Sequence, residues 1–144
     1  MRLLILNGPN LNLLGSRETD IYGKSSLGEI EEGLRAAFPD VELRFLQDNK
    51  EGVLVDALQQ ADADGLDGVI INPGGYGHTG IALRDAITAI TTPVVEVHIS
   101  NVHAREAFRQ SLMLAPACKG VITGLGLQGY HLAVRSFVED CADA

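Results

Sequence analysis

Short apolar runs, several of them β-branched, alternate with amphipathic stretches five times along this chain, and no other feature constrains its fold as strongly. The runs are Leu3–Leu6, Val41–Leu46, Gly68–Ile71, Val94–Val97 and Gly120–Thr123. The amphipathic stretches lie near Ser26–Ala37, Gly52–Ala63, Ile81–Ile90, Val102–Leu112 and Gln128–Ala142. Leu27, Ile30, Leu34 and Phe38 repeat at the i, i+3, i+4 spacing of one buried helix face. Phe38-Pro39-Asp40 and Asp64-Gly65 are turn signals that close helices. Strands alternating with helices predict an α/β fold, a parallel sheet covered on both faces. At 144 residues the chain suits one domain, residues 1–144. The default for that length is a doubly wound five-stranded sheet, flavodoxin-like, in the order 2-1-3-4-5.

Composition narrows the partners. A formal net charge of −8 argues against nucleic acid and against an anionic membrane. It leaves room for a small anionic substrate, because a few local Arg residues or backbone N–H groups hold one carboxylate. The apolar run at the N-terminus is too short for a signal-peptide core and is followed at once by Asn7-Gly8-Pro9-Asn10. It reads as a buried first strand, and the protein as cytoplasmic. Cys118 and Cys141 lie in no CxxC and near no His at metal-ligand spacing, so they read as reduced, non-catalytic thiols.

One connection breaks the rhythm. Asn10 to Lys24 spans 15 residues, where strand-to-helix loops usually take about 2–6. With Gly15 and Gly23 as hinge candidates, it reads as an active-site lid. Ligands of open α/β sheets sit beyond the carboxyl ends of the strands, near the switch point. Three strand ends here carry unusual polar sets: Asn7 to Asn10, Asn72 to Thr79, and Glu96 to Asn101. Arg105 and Arg109 follow the last set at i, i+4 spacing, which predicts one helix face. In the order 2-1-3-4-5 these three ends are neighbours, and they converge on one crevice. The ends Gln47-Asp48-Asn49 and Gly124-Leu125-Gly126 carry no comparable set.

Each piece alone has an ordinary explanation. A single His is more often structural than catalytic, Asn72-Pro73-Gly74-Gly75 makes a plain turn, and Arg105 and Arg109 beside Glu106 make a solvated face. Tyr22 and Arg17 could be loop surface. Convergence favours function. The four His residues show no metal-ligand pairing, so no bound metal is expected. Gly124 to Gly129 fits GxGxxG, but too little chain follows for the second strand of a dinucleotide fold. It reads as a tight turn with close packing. A phosphoreceiver needs an Asp at the end of the third strand, where this chain has Asn72.

The segments ILNGPNLNLLGSRE with IYG, INPGGYGHTG, VEVHISNVHAREAFR and GVITGLGLQGY occur here in that order. In them the chain resembles the type II 3-dehydroquinases across nearly its whole length. The resemblance implies a cofactor-free lyase that converts 3-dehydroquinate to 3-dehydroshikimate. The reaction is an anti elimination of water through an enolate, in aromatic biosynthesis (the shikimate pathway) or in quinate breakdown. It implies a dodecamer, a tetramer of trimers. It also implies roles. Tyr22 is the base, and Arg17 is the lid residue that favours its ionised form. Asn10 helps to stabilise the enolate. His98 is the general acid, oriented by Glu96. Asn72 and the backbone N–H groups of Ile99 and Ser100 hold the carboxylate and a nearby hydroxyl. His78 and Arg109 hold the remaining hydroxyls, Arg105 is a lid partner, and Asp85 reaches a neighbouring subunit's site.

Two positions and one short run depart from the family pattern. Thr19 stands where many relatives have Pro, Gly80 replaces a helix-start Ser, and Asp48 to Gly52 replaces a Ser-Asn-His-Glu-Gly run. None removes a proposed chemical group. Two alternatives stay open at this level: a lyase for another hydroxy-acid, and a flavodoxin-like module binding FMN or phosphate. The second would want a Ser/Thr-rich loop after the first strand, which Asn-Gly-Pro-Asn-Leu-Asn-Leu does not supply.

Overall fold

The computed structural model describes residues 1–142. Strands β1 (Arg2–Asn7), β2 (Glu42–Gln47), β3 (Gly68–Asn72), β4 (Val94–His98) and β5 (Gly120–Thr123) form one sheet. All pairings are parallel and the order is β2-β1-β3-β4-β5, as the alternation predicts. β3 and β4 are buried along their whole length, as central parallel strands must be. Asn7 is in register with both Gln47 and Asn72, so the carboxyl ends of β1, β2 and β3 finish level.

Alternate residues of β1 divide between two cores. Leu3 and Ile5 pack with Ile30 and Leu34 of α2 (Leu27–Ala37) and with Tyr130, Ala133, Val134 and Phe137 of α6 (Gln128–Ala142). Leu4 and Leu6 pack with Leu54 and Leu58 of α3 (Glu51–Ala63) and Leu83 and Ile87 of α5 (Ile81–Ala89). Each buried Leu, Ile, Val or Phe among them stabilises the fold by about 1.5–3 kcal/mol relative to exposure. Ser26 and Glu29 form a reciprocal capping box that fixes where α2 begins. Two one-turn helices, α1 (Thr19–Tyr22) and α4 (Tyr76–Thr79), lie in the connections after β1 and β3.

The stretch Val102–Leu112 is not the helix its pattern predicts. It forms two short 3-10 turns, Val102–Ala104 and Ala107–Gln110, with Arg105 extended between them at φ −117° and ψ −161°. Arg105 and Arg109 therefore do not share a helix face. The cause is tertiary. Met113 N–H donates to the Gly77 carbonyl at 2.8 Å, His78 Nδ1 lies 2.9 Å from the Ser111 carbonyl, and Arg105 bonds to two side chains described below. Helix propensity, worth a few tenths of a kcal/mol per residue, loses to such bonds. The glycine run after β5 is the tight turn expected of it. Gly124 has φ +87° and packs on Asn101.

Candidate active site

The polar ends of β1, β3 and β4 meet in one cleft at the switch point between β1 and β3. Gly8 N–H donates to the Asn72 carbonyl at 2.8 Å, tying two of these exits together. A Cβ on Gly8 would lie 2.4 Å from the Pro73 carbonyl oxygen, so a side chain there would force the turns apart. The cleft is lined by Asn10, Arg17 and Tyr22 from the loop after β1, and by Asn72 and His78 from the exit of β3. His98, Ile99, Ser100, Arg105 and Arg109 complete it from the exit of β4. Its cavity volume is about 130 Å³.

The long loop after β1 has its own order. Leu11 and Leu14 are buried and anchor its first half, and Gly15 and Gly23 take φ values of +92° and +81° at the bends. Asn10 itself is left-handed at φ 67°, and its N–H donates to Asn49 Oδ1. The loop delivers Tyr22 to the segment after β4. Arg105 Nη1 donates to the Tyr22 hydroxyl at 2.6 Å and to Ser100 Oγ at 3.2 Å. The guanidinium carbons of Arg17 and Arg105 each lie 5.2 Å from the Tyr22 ring centroid. Arg17 is paired with Glu18 at 2.6 Å, which holds the Glu18 carboxyl below its ordinary range. Two guanidinium groups thus flank one phenol.

β4 supplies a buried acid–imidazole pair. His98 Nε2 donates to Glu96 Oε1 at 2.7 Å, and Glu96 is fully buried. That bond fixes the ring and leaves Nδ1 as the nitrogen available to the cleft. Glu96 Oε2 has no partner among the described residues. His78 stacks on His98 with ring centroids 5.9 Å apart and planes 27° from parallel. Just beyond β4, the Ile99 and Ser100 carbonyls accept from Gly126 N–H and Thr123 Oγ1, which pins the turn. Arg109 pairs with Glu106 at 2.7 Å at the mouth. A phenol ringed by guanidinium groups and a carboxylate-backed imidazole on one cleft suit proton abstraction paired with proton donation.

A family model described as dehydroquinase class II matches residues 1–138. The chain belongs to the class II dehydroquinase family. A 3-dehydroquinate dehydratase of an Exiguobacterium species is 59% identical over 140 residues, covering 96% of this chain and 95% of that one. One from a Jannaschia species is 55% identical over 141 residues, covering 96% and 95%. The crystal structure of a type II dehydroquinase from Butyrivibrio crossotus superposes with a TM-score of 0.93 at 41% identity, covering 95% of this chain and 97% of that one.

Of the residues that the family resemblance singles out, all but two line the cleft. Glu96 lies behind His98, bonded to its Nε2. Asp85 stands apart, on the exposed side of α5. Three polar residues that hold the site were given no role of their own from the sequence. Asn49, beyond β2, accepts from Asn10 N–H and from Gln47, and its carbonyl accepts from the Tyr76 hydroxyl. Asn7 and Tyr130 form a buried chain with Asn72. Tyr130 had a sequence signal: it opens the apolar stripe Tyr130, Ala133, Val134, Phe137, and a buried Tyr hydroxyl needs a partner. The family departures are accommodated locally. Thr19 opens α1, and its carbonyl accepts from Gly23 N–H. A side chain on Gly80 would meet the Tyr76 carbonyl at 2.6 Å.

Proposed function

We propose that this chain is a cofactor-free lyase that removes water from 3-dehydroquinate to give 3-dehydroshikimate. Tyr22, as phenolate, takes a proton from the carbon beside the ketone. The electron pair moves into an enolate, which Asn10 helps to stabilise. The enolate then expels the hydroxyl of the β-carbon, and His98 protonates it so that it leaves as water. Glu96 orients His98. Arg105 holds the Tyr22 hydroxyl, and the Arg17 guanidinium lies over its ring. Asn72 and the N–H groups of Ile99 and Ser100 hold the substrate carboxylate and an adjacent hydroxyl, while His78 and Arg109 take the others. Family membership favours this over an FMN or phosphate module.

The observation that carries the proposal is the placing of Tyr22, held by Arg105, on the same cleft as the His98–Glu96 pair. Purified protein mixed with 3-dehydroquinate should raise ultraviolet absorbance, because the product is a conjugated enoic acid. No rise at micromolar enzyme would overturn the proposal. Loss of turnover to EDTA would count against the cofactor-free form of it.

The working assembly is a dodecamer, a tetramer of trimers, in the cytoplasm, with Asp85 reaching a neighbour's cleft. The exposed Ile81, Phe108 and Leu125 side chains are apolar surface that such contacts would cover. Among the described residues no helix is long and apolar enough to cross a membrane. Light scattering should return about twelve times the mass of the 15.4 kDa chain; a monomer would refute the assembly.

A further inference from the structure

Asn7 and Asn72 are register partners at the carboxyl ends of β1 and β3, the two strands that flank the switch point. Between their side chains sits the hydroxyl of Tyr130, a residue with no exposed surface in the first turn of α6. The Tyr130 hydroxyl donates to Asn7 Oδ1 at 2.6 Å and accepts from Asn72 Nδ2 at 2.9 Å. Gly74 N–H donates to Asn72 Oδ1 at 3.2 Å.

Proton accounting decides the direction of this chain. A phenol has one hydrogen to give. The reverse arrangement would have Asn7 donate to Tyr130 and Tyr130 donate to Asn72. It would turn the Asn72 nitrogen toward Gly74 N–H and set two donors against each other. Gly74 therefore fixes which edge of Asn72 faces Tyr130, and Asn7 absorbs the only hydrogen that Tyr130 could aim elsewhere. Of the two Asn72 N–H groups, one is spent on Tyr130. The other is left for the cleft, which Asn72 lines. Burial pushes the Tyr130 hydroxyl well above its ordinary range, so this bridge keeps one protonation state across the working pH.

We propose that Tyr130 is a positioning residue for the elimination: its hydroxyl presets the Asn72 amide so that one N–H already faces the cleft before substrate binds. This rests on the proposed function, in which Asn72 holds the substrate. Presetting removes the cost of orienting the amide during binding. It also gives the cleft a donor, and not an acceptor, toward an anionic or hydroxyl oxygen.

The test is a double-mutant cycle in the full-length protein with 3-dehydroquinate. Parent turnover is the control, and its absence would overturn the proposed function rather than the role of Tyr130. Tyr130→Phe should raise KM by about tenfold while kcat changes by only a fewfold, since the lost contact acts on binding. In an Asn72→Ala background the same substitution should change KM by less than twofold, because the group through which Tyr130 acts is gone. Equal effects of Tyr130→Phe in both backgrounds, or an unchanged KM in the parent background, would overturn the proposal. If Tyr130→Phe does not fold, Asn7→Ala takes its place in the cycle. It leaves Tyr130 intact but frees its hydroxyl to turn, and the same two outcomes decide.

Discussion

The Arg105 guanidinium donates to the Tyr22 hydroxyl at 2.6 Å and so joins the loop after β1 to the segment after β4. Because Arg105 also holds Ser100, the contact is built into the cleft wall. Removing the guanidinium leaves the phenol in place without its closest cation. Arg105→Ala should lower kcat/KM near neutral pH by about 10–100-fold, roughly 1.4–2.8 kcal/mol of transition-state stabilisation. Arg17→Ala should also slow turnover, since its charge lies over the same ring. Both losses should fall mainly on kcat. An unchanged kcat in both variants would separate the guanidinium groups from the proton-transfer step.

Tyr22→Phe should nearly abolish turnover and leave the fold intact. The substitution deletes one oxygen on a half-exposed loop residue whose core contacts come from its ring. Circular dichroism and melting temperature should match the parent. A kcat within a fewfold of the parent would leave the proposed elimination without its base.

His98→Ala should cut kcat by about 10²–10⁴-fold, the usual worth of a general acid. Glu96→Gln is the sharper variant. It keeps the shape of a fully buried side chain but withdraws the charge behind the imidazole. Its kcat should fall while KM changes less, as the imidazole loses the charged group that holds it. An unchanged kcat would restrict Glu96 to packing.

Most of the architecture was legible because it follows from periodicity. The runs at Leu3–Leu6 and Gly68–Ile71 became β1 and β3 since a buried parallel strand admits little else. Val102–Leu112 misled for the opposite reason. Its pattern is helical, but the bonds from Arg105, Ser111 and Met113 to the cleft are long-range and leave no local trace. The residues converging on the cleft were legible from their strand-end positions. Asn49 was not, because it acts through its own backbone carbonyl and through the Asn10 N–H. Arg105 was legible as present but not as the partner of the Tyr22 hydroxyl, because the path of a 15-residue loop is a tertiary property.

The two thiols should differ sharply. Burial, with the Glu96 charge nearby, pushes the Cys118 thiol up to about 12, whereas Cys141 is exposed on α6. Thiolate is the reactive form. Iodoacetamide at pH 8 should therefore add one label per folded chain, at Cys141, with full activity retained. Peptide mapping that finds Cys118 labelled at a similar rate would contradict its burial.

Asp62 gives the fold a pH-dependent tie far from the cleft. From the last turn of α3, its Oδ1 accepts from Thr91 N–H, Thr91 Oγ1, Thr92 N–H and Thr92 Oγ1, all at 2.8–2.9 Å, and so clamps the turn that starts β4. These bonds, that from Thr92 N–H first, hold the carboxyl below its ordinary value. A carboxyl lowered on folding stabilises the native state at every pH above its unfolded value, near 3.9. That contribution fades as pH falls from there through the lower folded value. Asp62→Asn keeps the size of the side chain but turns a charged acceptor into a neutral one. Its melting temperature should lie below the parent's at pH 7, and the gap should hold down to about pH 5. Below about pH 4 the gap should narrow, because the parent's own Asp62 is then taking up a proton and losing the same charge. A gap that stays constant between pH 7 and pH 3 would mean that shape at this turn matters and charge does not.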